Sequence, residues 1–225
     1  MIELQDVAYS YGGGELLSGM SLALSPGSFH FLTGPSGSGK STFLKLCYLE
    51  LRATSGSIRL FGHEAATMDR DTIAAARRRI GIVHQDCQFL DHLTVAENVA
   101  LPLTVSGRES PANRENLAEL LEWVGLQHHK DAFPPQLSGG ERQRAALARA
   151  VITGPDVVLA DEPTGNIDWE MSQRLLTLLA EINRMGKAIL MATHDLQLIR
   201  QAKTRVNARV LRIRDRTLHY AGADL

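Results

Sequence analysis

Residues Gly34-Pro35-Ser36-Gly37-Ser38-Gly39-Lys40-Ser41 follow an apolar run, Phe29–Thr33, and lead into a helical pattern carried by Phe43, Leu44, Leu46, Cys47 and Leu49. A strand that turns through glycines into a helix starting Lys-Ser is a phosphate loop, and few folds accommodate one. The glycines let backbone N–H groups converge on phosphate oxygens; Lys40 is placed to neutralise β/γ charge and Ser41 to hold Mg²⁺, with Thr42 next in line. A glycine turn that merely ends a strand leaves the full pattern unaccounted for.

A second glycine pair lies in Leu137-Ser138-Gly139-Gly140-Glu141, followed by Arg142-Gln143-Arg144. Ser138 and Glu141 have capping-box spacing, the serine covering a free N–H and the glutamate reaching back to start a helix. That does not explain Gly139 and Gly140, since a glycine within a helical turn costs about 1 kcal/mol relative to alanine. A helix N-terminus with bare N–H groups and a partial positive charge is a natural phosphate receptor, so this segment is expected to meet a phosphate as well.

Three further strand ends supply polar side chains. Asp161 and Glu162 close the apolar run Val157-Val158-Leu159-Ala160, His194 follows Ile189-Leu190-Met191-Ala192-Thr193, and Gln85 follows Ile80-Gly81-Ile82-Val83-His84. Continuous apolar runs of this length suit strands buried on both faces of a parallel sheet, whose carboxyl ends share one crevice. There Asp161 is expected to orient the Mg²⁺ shell, Glu162 to polarise an attacking water and His194 to sense the γ-phosphate. Gln85 taken alone reads as a polar strand end. Tyr11, before the turn Gly12-Gly13-Gly14, is a candidate to stack on adenine, with Tyr9 the choice if the register shifts.

Composition removes other classes. A chain of 225 residues with 44% hydrophobic content suits one domain, or one domain with a sizeable insertion. The formal net charge of -1 offers no global field for nucleic acid, and the one compact basic run, Arg77-Arg78-Arg79, reads as a solvated helix end. Cys47 and Cys87 lack metal-site spacing and are expected as reduced thiols of a cytosolic protein. The N-terminus lacks the basic start and apolar core of a signal peptide, and the uncharged stretch from Leu16 is broken by Pro26, so action at a membrane would need a partner.

Residues 2–33 read as a leading antiparallel sheet with turns at Gly12-Gly13-Gly14 and Pro26-Gly27, and a further strand and helix are expected over 57–61 and 70–79. Helical patterns fill 94–101, 112–124 and 139–151, a helix is expected over 169–185, and 209–214 with 217–220 read as an edge hairpin. The expected fold class is α/β. The division is a core made of 1–86 and 152–225 with its antiparallel sheet, and a helical insertion over 87–151.

Together these residues resemble the ATP-binding cassette ATPases: Walker A at Gly34–Ser41, Q-loop Gln85, signature Leu137–Glu141, Walker B Val157–Asp161 with Glu162, D-loop Gly165-Asn166-Ile167-Asp168 and switch His194. The resemblance spans essentially the whole chain and implies a P-loop NTPase (RecA-like) core, ATP and Mg²⁺ as ligands, and catalysis by Glu162 with His194, Lys40 and Gln85. It places Ser41, Gln85 and Asp161 around the metal. It also implies that ATP is sandwiched between the Walker A of one copy and the signature and Asp168 of a second.

Within the family the chain is similar to cell-division cassettes in Phe133-Pro134-Pro135-Gln136 before the signature and in Leu159-Ala160-Asp161-Glu162-Pro163-Thr164-Gly165-Asn166. Similar stretches occur in lipoprotein-releasing and macrolide-efflux cassettes. His84 departs from the aromatic usual before the Q-loop glutamine, and Ser28 from the glutamate usual after Pro-Gly. The division resemblance implies an integral membrane partner of the FtsX type, a place on the cytoplasmic face of the inner membrane and control of cell-wall hydrolysis; no nucleic acid is expected. The alternative is the ATPase subunit of a transporter for lipoprotein release or macrolide-type efflux.

Overall fold

The structure, a computed structural model, describes residues 1–107 and 110–221. The chain opens with β1 (Ile2–Ser10) and β2 (Glu15–Leu24), an antiparallel pair, and the short strands β4 (Ser55–Leu60) and β5 (His63–Glu64) complete a four-stranded sheet in the order β2-β1-β4-β5. β3 (Phe29–Thr33), read with that leading sheet from sequence, belongs elsewhere. It lies inside a six-stranded sheet ordered β10-β9-β3-β8-β7-β6, parallel to both of its neighbours. All five of its residues are buried, the signature of a strand covered on both faces rather than of a half-solvated antiparallel one.

The other strands of that sheet are β6 (Ile80–Val83), β7 (Val157–Asp161), β8 (Ala188–Ala192), β9 (Ala208–Arg214) and β10 (Thr217–Tyr220). β9 and β10 form the expected antiparallel hairpin at the edge of this sheet, and β9 also pairs in parallel with β3. Helix α1 (Lys40–Cys47) leaves β3, and α2 (Arg70–Arg77) precedes β6. Asp69 caps α2 by accepting from the Thr72 N–H at 2.7 Å, which sets the helix start.

The run after α2 is more than solvated. Arg77 donates to the carbonyls of Tyr48 and Leu49 at 3.0 and 2.7 Å, while Arg79 binds Asp156 at 2.7 Å and lies over the Phe61 ring. These contacts join distant segments, so no sequence spacing announces them.

Helices α3 (Val95–Val105), α4 (Pro111–Trp123) and α5 (Gly139–Val151) follow, and their facing residues Val95, Val99, Leu121, Val124, Ala145 and Ala148 form a core of their own. α5 serves two cores, because Ala146, Leu147, Ala150 and Val151 pack with Phe29, Phe31 and Val158 beneath the parallel sheet. A methyl group on Gly81 of β6 would sit 2.1 Å from the Ala150 carbonyl oxygen, so helix and strand meet backbone to backbone. α6 (Trp169–Arg184) and α7 (Leu196–Lys203) cover the same face of the sheet as α5. Among the described residues no helix is long and apolar enough to cross a membrane.

A buried imidazole stands in the strand that feeds the glycine loop. His30 on β3 is buried, its Nδ1 lacks a hydrogen-bond partner, and burial together with Arg209 lowers its pKa below the usual 6.5. The folded imidazole therefore refuses a proton that the unfolded chain accepts, and stability falls as pH drops through that value. In urea titrations from about pH 7 to about pH 5, the loss of unfolding free energy is expected to be smaller in His30→Leu than in the parent protein; equal losses would clear His30.

Candidate functional site

β3 ends at Thr33 and the chain turns at Gly34, with φ of 150°. A Cβ at Gly34 would meet Ser38 Oγ at 2.7 Å and the Ile213 carbonyl oxygen at 2.9 Å, so the loop lies hard against β9. Gly39 ends the loop at φ 97° and stands at the N-cap of α1 with no side chain covering the helix N–H groups. The first turn of α1 therefore presents uncapped donors and the positive end of its dipole. Lys40 folds back over the loop, its Nζ donating to the carbonyls of Gly34 and Pro35 at 3.0 and 3.2 Å.

Asp161, 9% exposed at the end of β7, faces the Ser41 hydroxyl across the cleft that both line. Burial pushes its carboxyl above the usual aspartate value, with the Glu162 charge adding to that push and the Ser41 hydroxyl opposing it. Glu162 sits at φ 47°, a left-handed conformation that costs a residue with a side chain about 1–2 kcal/mol. Its N–H donates to the Ala192 carbonyl at 2.9 Å, and its Oε1 lies 3.0 Å from His194 Nδ1. The glutamate side chain is 15% exposed and the histidine 78%. Beyond them Asp195 caps α7 by accepting from Leu198 N–H, and the Asp195 N–H donates to the buried Thr193 hydroxyl, so the backbone around His194 is held on both sides.

These groups meet in one cleft of about 730 Å³. Of the expected residues from Gly34 to Thr42, all but Pro35 and Ser38 line it, together with Gln85, Asp161, Glu162 and His194. Pro35 and Ser38 face an adjoining cleft beside Arg212 and Arg216. Tyr11 stands at the turn after β1, 64% exposed, with its hydroxyl 3.2 Å from Thr42 Oγ1 and its ring edge-on to Tyr9. Tyr9 is buried, and Tyr11, though exposed, is not among the residues that line the cleft.

Gln85 is held in place from the segment that follows it. Arg142 donates to the Cys87 carbonyl at 3.1 Å and Arg149 to the Gln88 carbonyl at 2.7 Å, and both guanidinium groups lie over the Phe89 ring. The buried Asn98 on α3 exchanges hydrogen bonds with Leu90 in both directions and donates to Leu93 O. The stretch after Gln85 is thus fastened to α3 and α5, which explains the otherwise unassigned Arg142-Gln143-Arg144 run in part.

The second glycine pair is not in the cleft. Ser138 caps α5 in a closed capping box with Glu141, and Asp168 caps α6 by accepting from Met171 N–H at 2.8 Å. None of Ser138, Gly139, Gly140, Glu141 and Asp168 lines the cleft of their own chain. Gly140 has an internal reason to be glycine, since a Cβ there would stand 3.0 Å from the Asn166 carbonyl oxygen; Gly139 has none, its nearest neighbour being Asn166 Cβ at 3.9 Å. The demand for bare backbone, read from sequence as pointing outward, is shared between the D-loop segment and the open side at Gly139. Gly165 and Asn166, named in the sequence only as part of the D-loop, also line the cleft, and one lining residue escaped sequence reasoning altogether: Leu16, which looks like any alternating strand residue.

A parallel-centred sheet with an uncapped helix at its glycine loop, and carboxylates at the neighbouring strand end, defines a P-loop nucleotide-binding protein of the NTPase type. The chain belongs to the ABC transporter family, whose model matches residues 17–165. It is 44% identical to the cell division ATP-binding protein FtsE of Bacillus subtilis (strain 168), over 92% of each chain. It is 43% identical to the protein of the same name from Escherichia coli (strain K12), over 97% of each. Among solved structures it superposes on the dimeric ATP-binding cassette MJ0796 in a post-hydrolysis state bound to ADP and Pi, with a TM-score of 0.88 and 31% identity over 98% of both chains. A second dimeric structure of MJ0796, described as a bacterial ABC transporter cassette, matches with a TM-score of 0.85 and 32% identity over 97% of both.

Gly39 joins these parts. Its φ of 97° disfavours any side chain, and a Cβ would meet Leu17 Cδ2 at 2.7 Å. Gly39→Ala is expected to cost about 2 kcal/mol in urea unfolding, combining left-handed strain with displacement of a core leucine. An unchanged midpoint would show that the loop can reshape.

Proposed function

We propose that this chain is the ATP-hydrolysing subunit of an FtsEX-type complex in bacterial cell division, closing as a dimer on ATP and passing that closure to an integral membrane partner of FtsX type that regulates cell-wall hydrolysis. The observation that carries the ATPase part is the single cleft that gathers the uncapped α1, Lys40, the Ser41–Asp161 pair and the Glu162–His194 pair. The division part rests on the likeness to FtsE proteins along nearly the whole chain.

In this reading the triphosphate lies along residues 34–42, its oxygens on the bare N–H groups and its β/γ charge against Lys40, which exchanges its contacts with Gly34 and Pro35 for phosphate. Tyr11 carries the adenine. A hydroxyl beside a buried carboxylate, with an amide nearby, is a hard oxygen donor set of the kind Mg²⁺ takes, so Ser41, Asp161 and Gln85 would hold the metal. Bound there, the metal would supply positive charge against that developing on the transferring phosphoryl group. Glu162 accepts the proton of the attacking water, and His194, hydrogen-bonded to it, orients that carboxylate and meets the γ-phosphate.

Ser138–Glu141 and Asp168 serve the nucleotide of a second copy, because they face away from their own. The mechanical division is a core of 1–86 and 152–225 against a helical unit of 87–151, with the protein on the cytoplasmic face of the inner membrane. Copurification from detergent-solubilised membranes with a lipoprotein-release or efflux permease instead would replace the division reading with the transport one.

Lys40→Ala is expected to weaken ATP binding at least tenfold, the factor that about 1.4 kcal/mol corresponds to. Glu162→Gln should bind ATP as the parent does yet lose roughly 10²–10⁴ in turnover; full turnover would remove Glu162 as the base. In sedimentation velocity, Glu162→Gln with Mg²⁺ and ATP should shift from monomer to dimer. Adding Ser138→Arg should prevent the shift, and normal dimerisation of that protein would place the second glycine pair away from the interface.

A further inference from the structure

The cap at the start of α5 commits the hydroxyl that the composite site needs. Ser138 Oγ donates to Glu141 Oε2 at 2.7 Å, the Ser138 N–H donates to the same oxygen at 2.8 Å, and the Glu141 N–H returns to Ser138 Oγ at 3.3 Å. The other carboxylate oxygen lies 3.5 Å from His129 Nε2. A serine hydroxyl has one proton, and here it is spent on the chain's own carboxylate. Those hydrogen bonds hold the Glu141 carboxyl below the usual carboxylate range, so it is ionised at neutral pH. A full negative charge then stands where the helix end offers a partial positive one of about half a unit.

Nothing about this geometry requires a ligand. The same box closes the start of α3, where Thr94 Oγ1 and N–H both donate to Glu97 Oε2 and the Glu97 N–H returns to Thr94 Oγ1. At α3 the box only starts a helix. At α5 it also occupies the donor that a partner's phosphate would seek.

We propose that Glu141 is a positioning residue that restrains assembly: by keeping the Ser138 proton on its own chain, it makes the phosphate of a second copy compete for that proton, raising the ATP level at which two copies close. This rests on the reading that Ser138 meets the nucleotide of a second copy. Glutamine at 141 separates the two roles of the box. Its side-chain carbonyl, standing where Glu141 Oε2 stands, still accepts from the Ser138 N–H and hydroxyl, so the helix start stays closed; being uncharged it holds the serine proton less strongly than the carboxylate does, and that proton is freer to turn toward the phosphate.

The test uses full-length Glu162→Gln protein, titrated with ATP in Mg²⁺ and followed by sedimentation velocity. Adding Glu141→Gln is expected to lower the ATP concentration for half-maximal dimerisation roughly tenfold, equivalent to about 1.4 kcal/mol. A further Ser138→Ala change should abolish most of that gain, which a purely structural role of the cap would not produce. An unchanged or higher half-point, or a gain that survives Ser138→Ala in full, overturns the inference while the Glu162→Gln dimer leaves the composite-site reading standing. If neither protein dimerises with ATP, both fall together. A lowered thermal midpoint in Glu141→Gln without tighter assembly assigns the carboxylate to the helix start alone and likewise rejects the proposal.

Discussion

The approach of the Ser41 hydroxyl to the buried carboxylate of Asp161 is the contact on which the rest depends. It joins the first turn of α1 to the end of β7, two elements far apart in sequence, across the mouth of the cleft. Burial disfavours the ionised carboxylate, so the fold carries an electrostatic cost at this point that a cation or a phosphate-bound metal would relieve. A site that is least comfortable by itself is one that binding can stabilise most. The same logic applies to Lys40, whose ammonium rests on two backbone carbonyls that are weak partners for a full charge compared with phosphate.

How much of this was legible in the chain depended on the range of the interaction involved. The glycine loop, the parallel strands β7 and β8 and the cap at Ser138 are local patterns, and the residues alone point to them. β3 was assigned to the wrong sheet because five apolar residues reveal burial but not neighbours. The internal reason for Gly140 was hidden because it depends on the carbonyl of Asn166, a contact made only once α5 and the D-loop segment are packed. Arg77, Arg79, Arg142 and Arg149 were equally opaque: each donates to groups brought near by the fold, and an arginine in sequence announces only a charge.

α5 connects the two halves of the molecule. Its first turn carries Ser138, its middle holds the segment after Gln85 through Arg142 and Arg149, and its last turns lie against β6 and the core beneath the sheet. Packed interiors resist compression, so a helix fixed at one end to the sheet transmits displacement of its other end rather than absorbing it. In the proposed dimer, a phosphate of the second copy at the start of α5 would act on the same rigid body that sets where Gln85 stands, a path that needs no element beyond those already in contact.

Glu162 adds a constraint of a different kind. Its backbone occupies a left-handed conformation held by the Ala192 carbonyl, and strain of this sort persists only where the surroundings over-determine it. Here β8 supplies both the restraining carbonyl and, two residues on, the imidazole that meets the carboxylate. That conformation breaks the strand's alternation at Glu162, whose side chain lines the cleft. Stability given up at one residue thus fixes the direction of the group proposed as base.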